Sequence, residues 1–294
     1  MAETASGSTV PRRQLGRHLR ELRNRARLTV RAAATALEWS DQKLWRIETG
    51  QTSMRSLDVE AMCRVYGADA ELAAALMGLA KETKGRGWWH AYGDVIPETF
   101  DLYIGLEEAA ERLNQYSAEL VPGLLQTTDY ARMLISGDNP GVADEEIERR
   151  VHVRTARQAL LTRVTRPLTL EVALSEAVLR RPIGGQQVMA TQLEHLLELA
   201  ALPHVSIRVV HYGAGLHHGL MSGPFTMLHF PINGDGQPTE PTTVYVDGFT
   251  GDLYLDKPHE IERYGAAFTA IWGSALNDKE SQALLHQAAR ELRQ

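Results

Sequence analysis

The segment LTVRAAATALEWSDQKLWRIETG restricts the fold of the chain more strongly than any other feature. Thr29 and Ser40 are residue types whose side chains accept a hydrogen bond from a backbone N–H at the start of a helix. The apolar spacing after each of them predicts a helix, one over about 30–37 and one over about 41–48. Gly50 then supplies the usual left-handed end of a helix. The sequence therefore predicts two short helices separated by a turn of three residues.

Helical periodicity on both sides completes a domain around this pair. Leucines at helical spacing predict a helix over about 12–26. Two closing helices are predicted by Leu57, Met62, Val65, Tyr66, Leu72, Leu76 and Leu79. Two short helices joined by a tight turn inside an all-α domain define a helix-turn-helix. We expect a five-helix domain over residues 11–82, preceded by a disordered tail over residues 1–10.

Charged residues are distributed unevenly along the chain. The net charge of −6, taken alone, argues against binding to nucleic acid. Residues 1–87 carry 15 Lys+Arg against 10 Asp+Glu, whereas residues 88–294 carry 16 against 27. A basic segment on an otherwise acidic protein is typical of a nucleic-acid-binding end. We therefore expect the helix-turn-helix to bind double-stranded DNA. A helical bundle that binds another protein is the alternative that these observations leave open.

A family resemblance supports the DNA-binding interpretation. The segment SDQKLWRIETG resembles the recognition helix of the phage-repressor (Xre/Cro) type, and the resemblance covers about residues 12–80. It implies a partly buried ion pair between Arg23 and Glu48 that ties the first helix to the third. The turn of this family usually holds glycine where the chain has Glu38, and a non-glycine residue with positive φ costs about 1 kcal/mol. The second helix of the family usually opens Thr-Gln, whereas this one opens Thr-Val.

The contacts expected with DNA follow from the position of each side chain. A helix in the major groove reads base edges with the residues near its start. Gln42 can pair bidentately with adenine and Arg46 with guanine. Trp45 either covers a thymine methyl group or lies on the loop after the helix. The expected base contacts are Asp41, Gln42, Trp45 and Arg46, and the expected phosphate contacts are Thr29, Arg31, Ser40, Lys43, Thr52, Ser53 and Arg55.

The longer remainder of the chain has a different pattern. An aromatic-rich linker is expected over residues 83–97. The alternating segments LTLEVAL, HVSIRVVH, PFTMLHF, TTVYVDGF and DLYLD predict about five short strands. Helices are predicted over about 98–117, 144–163, 258–275 and 278–292. We therefore expect an α+β fold, in which residues 98–294 form a regulatory and dimerisation domain with a mainly antiparallel sheet.

This second region also resembles a family. The segments VPGLLQTTDYARMLI, RRPIGGQQVMATQLEHLLELA and VYVDGFTGDLYLDKP are similar to the sensor-like (Scr-type) carboxy-terminal domain of actinobacterial Xre regulators, which are described as antitoxin-like. The resemblance implies either a small-molecule sensor or a module that binds and neutralises a small partner protein. A small-molecule pocket would be lined by Trp88, Trp89, Tyr103, Phe225 and Tyr245. Alternatively, the five aromatic residues between Trp88 and Tyr103 pack the two domains together.

Several classes of function are not expected. Cys63 is the only cysteine, which excludes a disulfide framework or a multi-thiolate metal site. A group of histidines (His211, His217, His218 and His229) could hold zinc, but adjacent histidines on a loop rarely point at one ion. We expect no metal, no cofactor and no enzyme, because no hydrolase or phosphate-loop motif is present. No apolar run reaches about 18 residues, so we expect a cytoplasmic protein without a membrane span. We expect a homodimer, because one recognition helix reads too few bases.

Overall fold

The computed structural model describes residues 9–84, 87–96, 98–234, 236–249 and 251–294. The chain divides into two compact units. The first extends to Ala91 and includes Phe100–Ala109, and the second comprises Tyr92–Thr99 and Ala110–Gln294. Each unit is described separately below.

The first unit is helical. Its helices are α1 (Thr9–Arg25), α2 (Val30–Ala36), α3 (Asp41–Glu48), α4 (Ser56–Tyr66), α5 (Ala70–Glu82) and α6 (Glu98–Ala109), together with a short 3-10 helix over Trp88–Tyr92. Thr29 accepts a hydrogen bond from the N–H of Ala32, and Ser40 accepts one from the N–H of Lys43, each at 3.1 Å. Both predicted caps therefore begin their helices.

Two features of the first unit differ from expectation. Thr9 and Val10, placed in the tail from their small or polar neighbours, begin α1 and are buried. Residues 1–8 of that tail lie outside the described residues. Most of α6, expected in the second domain, groups with the first unit. Within that unit the buried Trp89 donates a hydrogen bond from its indole Nε1 to Asp101 on α6 at 2.7 Å.

The turn between α2 and α3 has the strained backbone that the sequence predicts. Glu38 has a φ of 55°, in the left-handed region that side chains other than glycine rarely adopt. The next residue, Trp39, donates its backbone N–H to Ala34 O at 2.8 Å, which closes the end of α2. Ala33 and Ala34 are buried in the core beside Leu44 of α3. These small side chains let the two helices approach closely.

The second unit contains a six-stranded mixed sheet with the order β3-β2-β1-β4-β5-β6. Its strands are β1 (Arg112–Ser117), β2 (Thr169–Ser175), β3 (Val205–Val210), β4 (Phe225–His229), β5 (Thr243–Val246) and β6 (Leu253–Leu255). β1, β2 and β3 pair in parallel, whereas β4, β5 and β6 continue the sheet from β1 in antiparallel pairs. The α+β class and the five predicted strands are confirmed, and β1 is the additional strand.

The prediction of one helix over about 98–117 was wrong in its second half. α6 ends at Ala109 and β1 begins at Arg112. Leu113 continues the helical spacing of the residues before it, so the local pattern favoured a longer helix. β1 pairs with a strand on each side, but Leu113 and Tyr116 are its only apolar residues and lie three positions apart, so neither alternation nor an apolar run marks it as a strand. Long-range pairing therefore overrides the local periodicity.

Helices cover the sheet and one of its edges. They are α7 (Thr128–Asp138), α8 (Asp144–Ala156), α9 (Ala159–Thr162), α10 (Glu176–Arg180), α11 (Gln186–Leu199), α12 (Gly219–Ser222), α13 (Pro258–Ser274) and α14 (Asp278–Leu292). The long helix predicted over about 144–163 is thus two helices. Phe268 and Ile271 of α13 pack against Tyr116 and Phe225 of the sheet. No helix among the described residues is long and apolar enough to cross a membrane.

The outer edge of β3 is closed by the connection between the last two helices. Leu276 donates its N–H to Val209 O at 2.9 Å, and the N–H of Val209 donates to Ser281 Oγ at 3.0 Å. Both edge-facing groups of Val209 are therefore satisfied, which blocks further strand addition at that point.

Candidate nucleic-acid interface

Helix α3 has one buried face and one exposed face. Leu44 and Ile47 point into the core of the first unit. Asp41, Gln42, Lys43 and Trp45 are exposed, and Arg46 is half-buried. Trp45 leaves 51% of its surface accessible, a large fraction for an indole ring. All four side chains predicted to contact bases therefore reach the surface of the same short helix.

A buried ion pair fixes the end of α3 against α1. Arg23 Nε donates to Glu48 Oε1 at 2.6 Å, and Arg23 NH2 donates to Glu48 Oε2 at 2.8 Å. Arg23 NH1 also donates to Leu28 O at 2.8 Å. The hydrogen bond that Arg23 donates to Glu48 raises the pKa of the Arg23 guanidinium above its ordinary value. This is the pair that the family resemblance implies, and its two-point geometry restricts how α3 can rotate.

Two glycines bring the helix backbones together at the same end of α3. A Cβ atom on Gly16 of α1 would lie 2.6 Å from Ile47 O and 2.9 Å from Glu48 O. Gly50 has a φ of 74°, and a Cβ there would lie 2.7–2.9 Å from atoms of Arg13. Neither position accepts a larger residue without displacing the backbone. The orientation of α3 therefore depends on backbone contact as well as on the ion pair.

A concave surface brings together most of the residues predicted to contact DNA. It is called the α3 groove below, and it is lined by Ser40, Gln42, Lys43, Arg46, Ile47, Thr52, Ser53, Met54 and Asp58. Residues of two separate segments, some predicted to contact bases and others to contact phosphates, therefore line the same groove. Thr29 and Arg31 are exposed at the start of α2.

Two of the cations predicted to contact phosphates have partners that the sequence alone did not indicate. Lys43 Nζ lies 3.6 Å from the centroid of the Trp39 ring, a cation–π geometry. Arg55 donates to both carboxylate oxygens of Asp58, at 3.0 and 3.1 Å. The hydrogen bond from Arg55 lowers the pKa of Asp58. Lys43 follows Trp39 by four residues and Asp58 follows Arg55 by three, and these spacings are the sequence features that could have indicated the two contacts.

The five aromatic residues considered for a ligand pocket lie in both units. In the first unit Trp88 is exposed, whereas Trp89 and Tyr103 are buried. In the second unit Phe225 packs in the sheet core, with its ring centroid 4.9 Å from that of Tyr264. Tyr245 is buried beside Tyr254, with ring centroids 5.2 Å apart. Within each unit these rings take part in the packing of their own elements.

The histidines considered for zinc do not form a metal site in the part of the chain that the structure describes, where no group of three or more His, Cys, Asp or Glu side chains is placed for a metal ion. His229 Nε2 lies 2.7 Å from Asn114 Oδ1. Burial, with a smaller contribution from Arg112, lowers the pKa of His229 to about 4. His217 lies against Tyr116, and its pKa is also lowered by burial.

Two family models match separate parts of the chain, and the second match begins at residue 100, so it includes the residues Phe100–Ala109 that group with the first unit. The model of a helix-turn-helix domain matches residues 14–76, which contain most of α1, all of α2 to α4, the first part of α5 and the α3 groove. The fold and this match define a helix-turn-helix DNA-binding regulator. The model of the Domain of unknown function (DUF5753) matches residues 100–287, more than half of the chain, so the chain belongs to the DUF5753 family. No curated protein and no solved structure matches the chain.

Proposed function

We propose that the chain is a sequence-specific transcriptional regulator of the phage-repressor (Xre) type, in which α3 enters the major groove of DNA. The observation that carries this proposal is the α3 groove, where a polar and basic surface surrounds the start of a helix held by the Arg23–Glu48 pair. A recognition helix must keep its orientation to place side chains on base edges. A bundle that binds protein would not require this combination.

We assign direct base reading to the exposed face of α3. Gln42 presents an amide that matches the N6 and N7 atoms of adenine, and Arg46 presents a fork that matches O6 and N7 of guanine. Asp41 and Trp45 complete the exposed face, where Asp41 can accept a hydrogen bond from cytosine N4 and the indole can cover a thymine methyl group. These four side chains determine the sequence preference in the proposal.

We assign phosphate contacts to the groups around the groove. Lys43 is held over Trp39, which fixes the direction of its ammonium group. Arg55 is exposed and already forms a bidentate pair with Asp58, a carboxylate that a phosphate group can replace. Thr29, Arg31, Ser40, Thr52 and Ser53 complete this set. Such contacts fix register and orientation but carry no sequence information.

The proposal is tested by the affinity of the full chain for duplexes from the region upstream of its own coding sequence. Arg46→Ala should weaken binding to the preferred duplex by about 1–3 kcal/mol, because a bidentate base contact is lost. The matched control is Arg64→Ala, which removes an exposed arginine of α4 outside the groove. Equal affinity and equal selectivity of Arg46→Ala and the unchanged chain would contradict the assignment of α3 as the recognition helix.

We further propose that the chain acts in the cytoplasm as a homodimer on a near-palindromic site. The eight residues of α3 span too few base pairs for a specific site on their own. Two copies would place their α3 helices on half-sites about 34 Å apart, one turn of B-DNA. Dimerisation would thus provide the specificity that a single helix lacks.

For the second unit we propose a regulatory role without catalysis. The support is its resemblance to the antitoxin-like domain of actinobacterial regulators, which leaves a small-molecule effector and a small partner protein as the two signals. Either signal must favour one state of the protein over another to change DNA affinity. Native mass spectrometry of the protein purified from its host separates the two cases. A bound small mass identifies an effector, and a bound polypeptide identifies a partner protein.

A further inference from the structure

The connection between β3 and β4 exposes four large apolar side chains within ten residues. We call residues 211–223 the apolar loop. Its exposed fractions are 61% for Tyr212, 77% for Leu216, 62% for Leu220 and 76% for Met221. Single exposed apolar residues are common on protein surfaces, but a concentration of this kind marks an interaction site.

The apolar loop is anchored at its start and in its middle by specific contacts. The N–H of Tyr212 donates to Glu176 Oε2 at 3.0 Å, and Glu176 is itself buried. Farther along, the ring of His217 lies edge-on to Tyr116 of β1, with centroids 6.0 Å apart. Gly219 sits so close to the same tyrosine that a Cβ would lie 2.4 Å from its ring. The exposed side chains therefore stand on a positioned backbone, which lowers the entropic cost of binding.

Charge distinguishes the apolar loop from the rest of its unit. Residues 209–234 contain no Asp, Glu, Lys or Arg. By contrast, residues 88–294 as a whole carry 16 basic against 27 acidic side chains. Two copies of so acidic a body repel each other, and a neutral surface lets them meet without opposing like charges directly. A basic partner protein would instead be attracted to the acidic surface outside the loop.

The size and shape of this surface also fit a protein copy better than a small ligand. At about 150–250 Å² for a complete large side chain, the four residues present on the order of 500 Å². Two such surfaces together approach the roughly 1,000 Å² that a specific interface needs. Small ligands are enclosed in concave pockets, whereas these side chains project into solvent.

We propose that the apolar loop is the self-association surface of the protein, and that its occupant is the apolar loop of a second copy related by a two-fold axis. In such an interface the same patch serves both copies, as its neutral and apolar character allows. This inference rests on the proposed function, because it supplies the dimer that two DNA half-sites require.

The test is sedimentation velocity of the full chain across a range of concentrations. The variant Leu216→Asp/Met221→Asp places two charges of the same sign on each copy of the patch. The dimer should dissociate, with its dissociation constant raised about 100-fold or more. The matched control is Val164→Asp, which puts the same charge at a position that is 98% exposed outside the loop and should leave the dimer unchanged.

The outcomes separate this inference from the proposed function. An unchanged chain that sediments as a monomer, or a double variant that dimerises as strongly as the unchanged chain, overturns the inference. Equal loss of the dimer in Val164→Asp and in the double variant also overturns it. The far-ultraviolet circular dichroism spectrum should be the same for both variants, since the replaced side chains are exposed. Binding to a single half-site is measured in parallel. If that binding persists while the dimer inference fails, the proposed DNA reading stands.

Discussion

The helix-turn-helix and the mixed sheet differ in how far along the chain their determining interactions reach. In the first unit, α2 and α3 each begin after a side chain that accepts a hydrogen bond from the backbone N–H three residues later. In the second unit, the central strand β1 is stabilised by β2, more than 50 residues later, and by β4, more than 100 residues later. Local interactions can be read from a short segment, whereas pairing between distant strands cannot.

The largest expected effect comes from the Arg23–Glu48 pair, a long-range polar contact that holds α3 against α1. Glu48→Ala leaves the Arg23 guanidinium buried without its carboxylate and should lower the free energy of unfolding by about 3–5 kcal/mol. Urea denaturation of the full chain, followed by the fluorescence of its tryptophans, measures the loss. The control is the double variant Arg23→Met/Glu48→Leu, which removes both charges and should regain most of the stability. A double variant as unstable as Glu48→Ala would show that the side chains matter for their shape rather than their charge.

A somewhat smaller effect is expected from the strand that the sequence did not predict. Leu113 of β1 is fully buried, and Leu113→Ala should lower the free energy of unfolding by about 2–5 kcal/mol. Leu120→Ala is the matched control, because that leucine lies a few residues beyond β1 and is exposed. Its effect should stay within about 0.5 kcal/mol. If the two variants lost the same amount, residues 112–117 would not form a central strand.

The smallest effect is expected from the local caps. Ser40→Ala removes the oxygen that accepts the N–H of Lys43 and should cost about 1 kcal/mol of stability. Ser40→Asp keeps an acceptor at the start of α3 and should retain the stability of the unchanged chain. Thermal unfolding compares the two variants. A loss of the same size in both would mean that the cap does not determine where α3 begins.

Particular residues explain what could be predicted from the sequence. Thr29, Ser40 and Gly50 each act on their immediate neighbours, and the bounds of α2 and α3 were predicted to within one residue. The strained φ at Glu38 was expected from a single departure from a family pattern. The five predicted strands carry alternation or β-branched runs within a few residues. In each case the information lies within one element.

Other features required the folded chain. Leu113 fits the helical spacing of α6, and its place in the sheet appears only when β2 and β4 lie beside it. The pairing of Arg55 with Asp58 depends on the rotamers of two exposed side chains. The anchoring of the apolar loop depends on Glu176 and Tyr116, which are distant in sequence. Six of the residues that line the α3 groove were predicted to contact DNA, but their meeting in one concave surface follows from packing.

The central claim, that α3 reads base sequence, is tested most directly by selecting bound duplexes from a random library. The unchanged chain should enrich one motif with two related half-sites. Arg46→Ala should enrich a motif that has lost its preference at one position of each half-site and keeps the others, because each side chain reads its own base pair. Failure of the unchanged chain to enrich any motif, or the same motif from both proteins, would contradict the account.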